Sequence, residues 1–88
     1  MKRELITEEK INEAVEAFKS ELKKRLNQKG YNSFASSHEI LGVVDEECNE
    51  LKAAVHKNNL SEVRNELLDI AVGVIFGIAC IDSDTLDW

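Results

Sequence analysis

The chain reads as all-α, a three-helix protomer with two long antiparallel helices and an apolar third. Three features predict this. Apolar residues recur at steps of three and four along each long segment. Capping residues punctuate the segments. No stretch alternates apolar and polar residues for long enough to make a strand.

The first helix is expected over residues 8 to 28. Thr7 supplies an N-cap and Gly30 a C-terminal stop. Ile11, Val15, Phe18, Leu22 and Leu26 form one apolar stripe, and Lys19, Lys23, Lys24, Arg25 and Lys29 stand on the other face among glutamates. Those bases read first as a solvated face, and second as a reserve of phosphate contacts. Residues 30 to 36 form a loop, and Ser36 with Glu39 makes a capping box. The second helix is expected over residues 37 to 57, with Asn58 and Asn59 as its break. Ser61 is expected to cap a third helix reaching residue 81, followed by a short acidic tail. Short connections make successive helices antiparallel neighbours.

The 88 residues contain no proline and four glycines, with no low-complexity tract or repeat, so a single domain over residues 1–88 is expected. A net charge of −6 argues against a nucleic-acid polymer as partner, because neutralising phosphates takes a basic surface. A phosphorylated ligand held through a metal remains compatible with it. Cys48 and Cys80 form no CxxC pair and sit in apolar helical runs, as small buried hydrophobes do. A chain without a disulfide framework suits a reducing cytoplasm. The N-terminus leads into a charged helix, not a signal core. The apolar run at residues 67 to 81 contains Asp69 and falls short of the roughly 20 residues that span a bilayer, so no membrane role is expected.

Four acids stand out by direction. At 100° per residue, with Ile40 at zero, Val44, Leu51 and Val55 on the second helix centre near about 40°. Glu47 falls near about 340°, inside the apolar arc between Ala54 and Ile40, and Glu50 near about 280°, at its edge. On the third helix Glu66 and Asp69 share a side with Gly73, Gly77 and Cys80, its smallest residues. The glycines there admit either a close helix neighbour or a ligand. Two like charges about 4 Å apart repel by roughly 1 kcal/mol in water and roughly 4 kcal/mol near a protein surface. Four inward carboxylates must therefore be protonated, paired with bases or bound to a cation. No lysine or arginine follows Arg64, so base pairing is poorly supplied. A hard cation, Mg²⁺ or Mn²⁺, is the expected answer, with Glu47, Glu50, Glu66 and Asp69 as ligands. The competing reading makes these acids solvated, with the helices rotated away from this estimate.

Glu47-Cys-Asn-Glu50 followed by Glu66-Leu-Leu-Asp69 resembles the ExxE…ExxD signature of the MazG-like, all-α nucleoside triphosphate pyrophosphohydrolases. The surrounding Glu46-Glu47-Cys-Asn-Glu50-Leu51 is similar to the family's EExxEL box, and the resemblance covers residues 37 to 82. Ser37-His38-Glu39 resembles a His-Glu pair found upstream in phage-type members, and Ile81-Asp82 the motif after the third helix. The resemblance implies Mg²⁺-dependent hydrolysis of a nucleoside triphosphate to a monophosphate and pyrophosphate. It implies catalytic roles for Glu46 and Glu47, with Glu46 making a second metal contact or positioning water. It also implies dimers or tetramers whose helices complete a four-helix bundle. Family enzymes supply bases beyond the second box. Here phosphate contacts fall instead to Lys52, Lys57, Arg64, the first helix or a partner subunit, with His38 as a further nucleotide contact. His38 also reads as a plain helix-start residue. Tyr31, Phe34 and Trp88 read first as core or interface aromatics and second as base-stacking groups.

The third helix is apolar almost all round, which three helices alone cannot bury, so a homo-oligomer is expected. The alternative to an enzyme is a non-catalytic helical oligomer that binds metal or nucleotide as a structural or regulatory module.

Overall fold

The computed structural model describes residues 2–87, so the expectations attached to Trp88 lie outside the described residues. The described residues form three α-helices and no strand: α1 (Glu8–Lys29), α2 (Ser37–His56) and α3 (Leu60–Asp82). No described helix is long and apolar enough to cross a membrane. The chain divides into two compact units, one ending at Gly30 and the other beginning at Tyr31.

The first unit is built on α1. Thr7 Oγ1 accepts from the Lys10 amide at 3.2 Å, satisfying one of the four amides that a helix start leaves without a partner. Gly30 ends the helix at φ 83°, a conformation that side chains resist, and its amide donates to the Leu26 carbonyl. Ion pairs stagger along the helix, an exposed one between Lys10 and Glu13 at 3.0 Å and a half-buried one between Arg25 and Glu21 at 3.1 Å.

The second unit is a helical hairpin. Ser36 Oγ accepts from the Glu39 amide, as a capping box requires. The return arm lands one residue early: Glu39 Oε1 accepts from the Ala35 amide at 2.7 Å. The break between α2 and α3 is tighter than the sequence reading proposed. Asn58 adopts φ 56°, a left-handed conformation that asparagine tolerates, and Asn59 is the N-cap, its side chain accepting from Glu62. Ser61 already lies inside α3. One left-handed residue reverses the chain, so no room is left for a longer connection.

α2 and α3 pack against each other in antiparallel register. Ile40 lies against Gly77, Val43 against Gly73, Glu47 against Asp69 and Glu66, and Glu50 against Glu66, so partners descend α3 as positions climb α2. A Cβ built at Gly77 would lie 3.3 Å from Ile40 Cγ2, whereas one at Gly73 would meet only Val43 Cγ1 at 3.9 Å. Of the two readings of these glycines, close helix approach therefore holds at Gly77. The side of α2 facing α3 is not the centre of its apolar stripe. It is the flank carrying Ile40, Val43, Glu47 and buried Ala54, while Val55 is exposed. The small residues Ala54, Gly77 and Cys80 are the only buried ones described, and they permit the closest approach of two helices.

At the open end of the hairpin, Phe34 meets Phe76 edge-on, with centroids 5.4 Å apart. The segment after α3 turns back at Asp84, φ 55°, onto residues 33–35. Thr85 Oγ1 donates to the Cys80 carbonyl and lies 2.6 Å from Ser33 Oγ, and the Asp87 amide donates to the Ala35 carbonyl. Phe34 thus takes the structural role expected of it. Tyr31 is exposed. Both cysteines are free thiols.

Candidate metal centre

The acids sit near the closed end of the hairpin, between the packed glycines and the turn. Helical spacing brings them together: Glu47 and Glu50 are three apart on α2, Glu66 and Asp69 three apart on α3, so each pair shares a face. The antiparallel register then sets one pair opposite the other. One carboxylate oxygen each from Glu47, Glu66 and Asp69 falls within 4.8 Å of the others. The Glu50 carboxylate stands close enough to Glu47 and Glu66 for its charge to act on both. Glu47, Glu66 and Asp69 are half-buried, while Glu50 is exposed.

The electrostatics bear the mark of this crowding. The Glu47 carboxyl is pushed up to about 7. Burial is the largest cause, followed by the negative charges of Asp69, Glu50 and Glu66. The Glu66 carboxyl is raised too, first by burial, then by a hydrogen bond and charge from Glu50. Glu47 Oε2 and Glu66 Oε2 are sealed from solvent without a hydrogen-bond partner. Two such acceptors in one small cluster are costly unless a proton or a cation supplies what water no longer does.

The donor set is entirely hard oxygen, the chemistry that suits Mg²⁺ or Mn²⁺ and disfavours zinc or copper. One carboxylate oxygen from each of three residues lies within 4.8 Å of the others, and two of those carboxyls bury an oxygen without a partner, an arrangement that a cation would relieve. The residues present fit a hard cation, with Glu47, Glu66 and Asp69 as the core and Glu50 at the rim, and by themselves single out no one metal.

The remaining sequence candidates divide by position. Lys57, at the C-cap of α2, lines a groove of about 310 Å³ that runs from the acids to the hairpin turn. Glu50 and Glu66 belong to the same lining. His38, Glu46, Lys52 and Arg64 are exposed and line no part of this groove. His38 stands in the first turn of α2, nine residues before Glu47, or about 13 Å along the helix axis. Glu62 and Asn65 also line the groove, and sequence reading overlooked them. The available signal was the step of four from Glu62 to Glu66, which sets both on one side of α3.

Comparison of the chain with protein-family models, with curated proteins and with solved structures returned no match, so the reading of this centre rests on its own residues and geometry.

Proposed function

We propose that the chain is a Mg²⁺-dependent nucleoside triphosphate pyrophosphohydrolase of the MazG-like, all-α kind. The observation that carries this reading is the convergence of Glu47, Glu66 and Asp69 across two antiparallel helices, with two buried carboxylate oxygens left without partners. A protein of this size has little stability to spend on unrelieved repulsion. A site that concentrates it is expected to repay the cost when a cation binds.

Glu47, Glu50, Glu66 and Asp69 would hold the ion. A bound Mg²⁺ supplies neutralisation of phosphate charge and acidity to a coordinated water. In the reaction a water oxygen adds to the α-phosphorus, the bond from that phosphorus to its bridging oxygen breaks, and pyrophosphate leaves with the bond electrons. The water's proton passes to a carboxylate, either the oxygen of Glu47 not turned to the ion or Glu46, its neighbour in sequence. The fixed helices hold these groups in place before substrate arrives, which is where positioning lowers the barrier.

Self-association belongs to the same proposal. Leu60, Leu67, Val74, Ile78 and Ile81 form one stripe along α3, on a different side from its acids and glycines, and each is exposed. A second copy covering that stripe would complete a four-helix bundle. Two free thiols suit a reducing cytoplasm.

A second reading is a non-catalytic oligomer that binds metal or nucleotide. It is favoured by α3 itself, which carries no lysine or arginine beyond Arg64. Purified protein incubated with Mg²⁺ and a panel of ordinary and modified nucleoside triphosphates separates the two. Release of pyrophosphate from at least one of them, lost in E47A and D69N while helicity is retained, is the expected result. Nucleotide binding without turnover of any panel member would select the second reading.

A further inference from the structure

We propose that the groove beside the acids takes the polyphosphate arm of the substrate, with Lys57 holding its terminal phosphate. This rests on the pyrophosphohydrolase reading and adds to it a direction for the substrate and a basis for selectivity. The groove shares Glu50 and Glu66 with the acid cluster, so the two are continuous. At about 310 Å³ it lies at the low end of ligand pockets and is large enough for a phosphate chain. With the phosphate chain running from the acids toward Lys57, the nucleoside points away from the α2–α3 turn.

The lining has one cationic side chain, Lys57, against the carboxylates of Glu50, Glu62 and Glu66. Such a lining repels a bare anion. It accepts one whose near end is neutralised by a cation and whose far end meets an ammonium group. Lys57 lies seven residues beyond Glu50, about 10 Å along the axis. A monophosphate at the acids does not bridge that distance, but a chain of phosphates does, helped by the lysine stem. Lys57 is also available to exchange partners. Its ion pair with Glu62 Oε2 is 4.0 Å long and exposed, the kind of contact worth little in water. Asn65, exposed in the same lining, offers an amide donor along the way.

The experiment compares wild type, K57A and K57R as full-length chains. Lys57 is exposed, so neither substitution disturbs packing. Calorimetric titration with inorganic tripolyphosphate in Mg²⁺ is expected to show about a tenfold loss of affinity in K57A and recovery in K57R. Titration with a nucleoside monophosphate, and the rise in Tm caused by Mg²⁺ alone, should be unchanged. With a hydrolysed triphosphate, K57A should raise KM about tenfold with kcat nearly constant, as loss of uniform binding does. Equal tripolyphosphate affinity in wild type and K57A overturns the proposal, even if the protein is an active enzyme. If no triphosphate is turned over, the pyrophosphohydrolase reading falls, and the tripolyphosphate titration still decides the role of Lys57.

Discussion

The two halves of the α2–α3 interface make opposite use of the same geometry. Toward the start of α2, Ile40 closes on Gly77, Cys80 is 4% exposed, and Phe34 caps the end against Phe76. Toward the turn, Ala54 is 3% exposed, but the positions around it that face across the helices carry Glu47, Glu50, Glu66 and Asp69. The first half gains stability from contact. The second gives it up, because burial and like charge both act against ionised carboxylates. A small hairpin can carry this only if the packed half holds the register while the acidic half stays strained. Conflict with the local rules confined to one region is the usual sign of a functional site.

The largest expected effect comes from breaking the packed half. G77L drives a branched side chain into Ile40, already 3.3 Å from where a Cβ would stand, and should cost about 3 kcal/mol in urea unfolding. Relieving the acidic half by metal comes next. Mg²⁺ at a hundred times its Kd should stabilise the wild type by about 2.7 kcal/mol. That corresponds to a rise of about 10 °C or more in Tm. E47A should abolish the rise.

A smaller effect is expected from pH in the absence of metal. The native Glu47 carboxyl titrates at about 7 against 4.5 for the unfolded chain, so the native state holds its proton more tightly. Stability is then full below pH 4.5 and falls as pH rises toward 7, with Glu66 adding in the same direction. The shift sets a ceiling near ~3 kcal/mol, which solvent screening of these half-buried groups lowers to about 1–2 kcal/mol. E47Q should therefore be more stable than wild type by about 1–2 kcal/mol at pH 8 and equal to it at pH 4. A wild type that grows more stable from pH 4.5 to 7 would contradict this account. The smallest effect sharpens the boundary between the halves. G73A places its methyl 3.9 Å from Val43 and gains helix propensity, so it should stabilise by up to about 1 kcal/mol.

Much of this was legible beforehand. The stripes, the caps at Thr7 and Ser36 and the pairing of acids at steps of three all follow from local rules, because a helix fixes side-chain direction through its own backbone. The cap of α3 was misplaced at Ser61. Competition among Asn58, Asn59 and Ser61 is decided by which residue takes the left-handed conformation, and composition does not rank them. The lining roles of Glu62 and Asn65 were missed because a groove is a property of two helices, not one. The side of α2 that meets α3 was likewise displaced from the stripe centre, since Ala54 and Gly77 allow closer approach than Val55.

By itself the sequence determined an all-helical chain and the identity of four acids sharing helix faces in pairs. Those outcomes depend on backbone periodicity and capping, which act within a few residues. Only the tertiary structure decided that the pairs face each other, that Glu47 and Glu66 each bury an unpartnered oxygen, and that Lys57 shares a groove with Glu50 and Glu66. Those depend on the relative rotation and register of two helices, which are set by how closely small residues let their backbones approach.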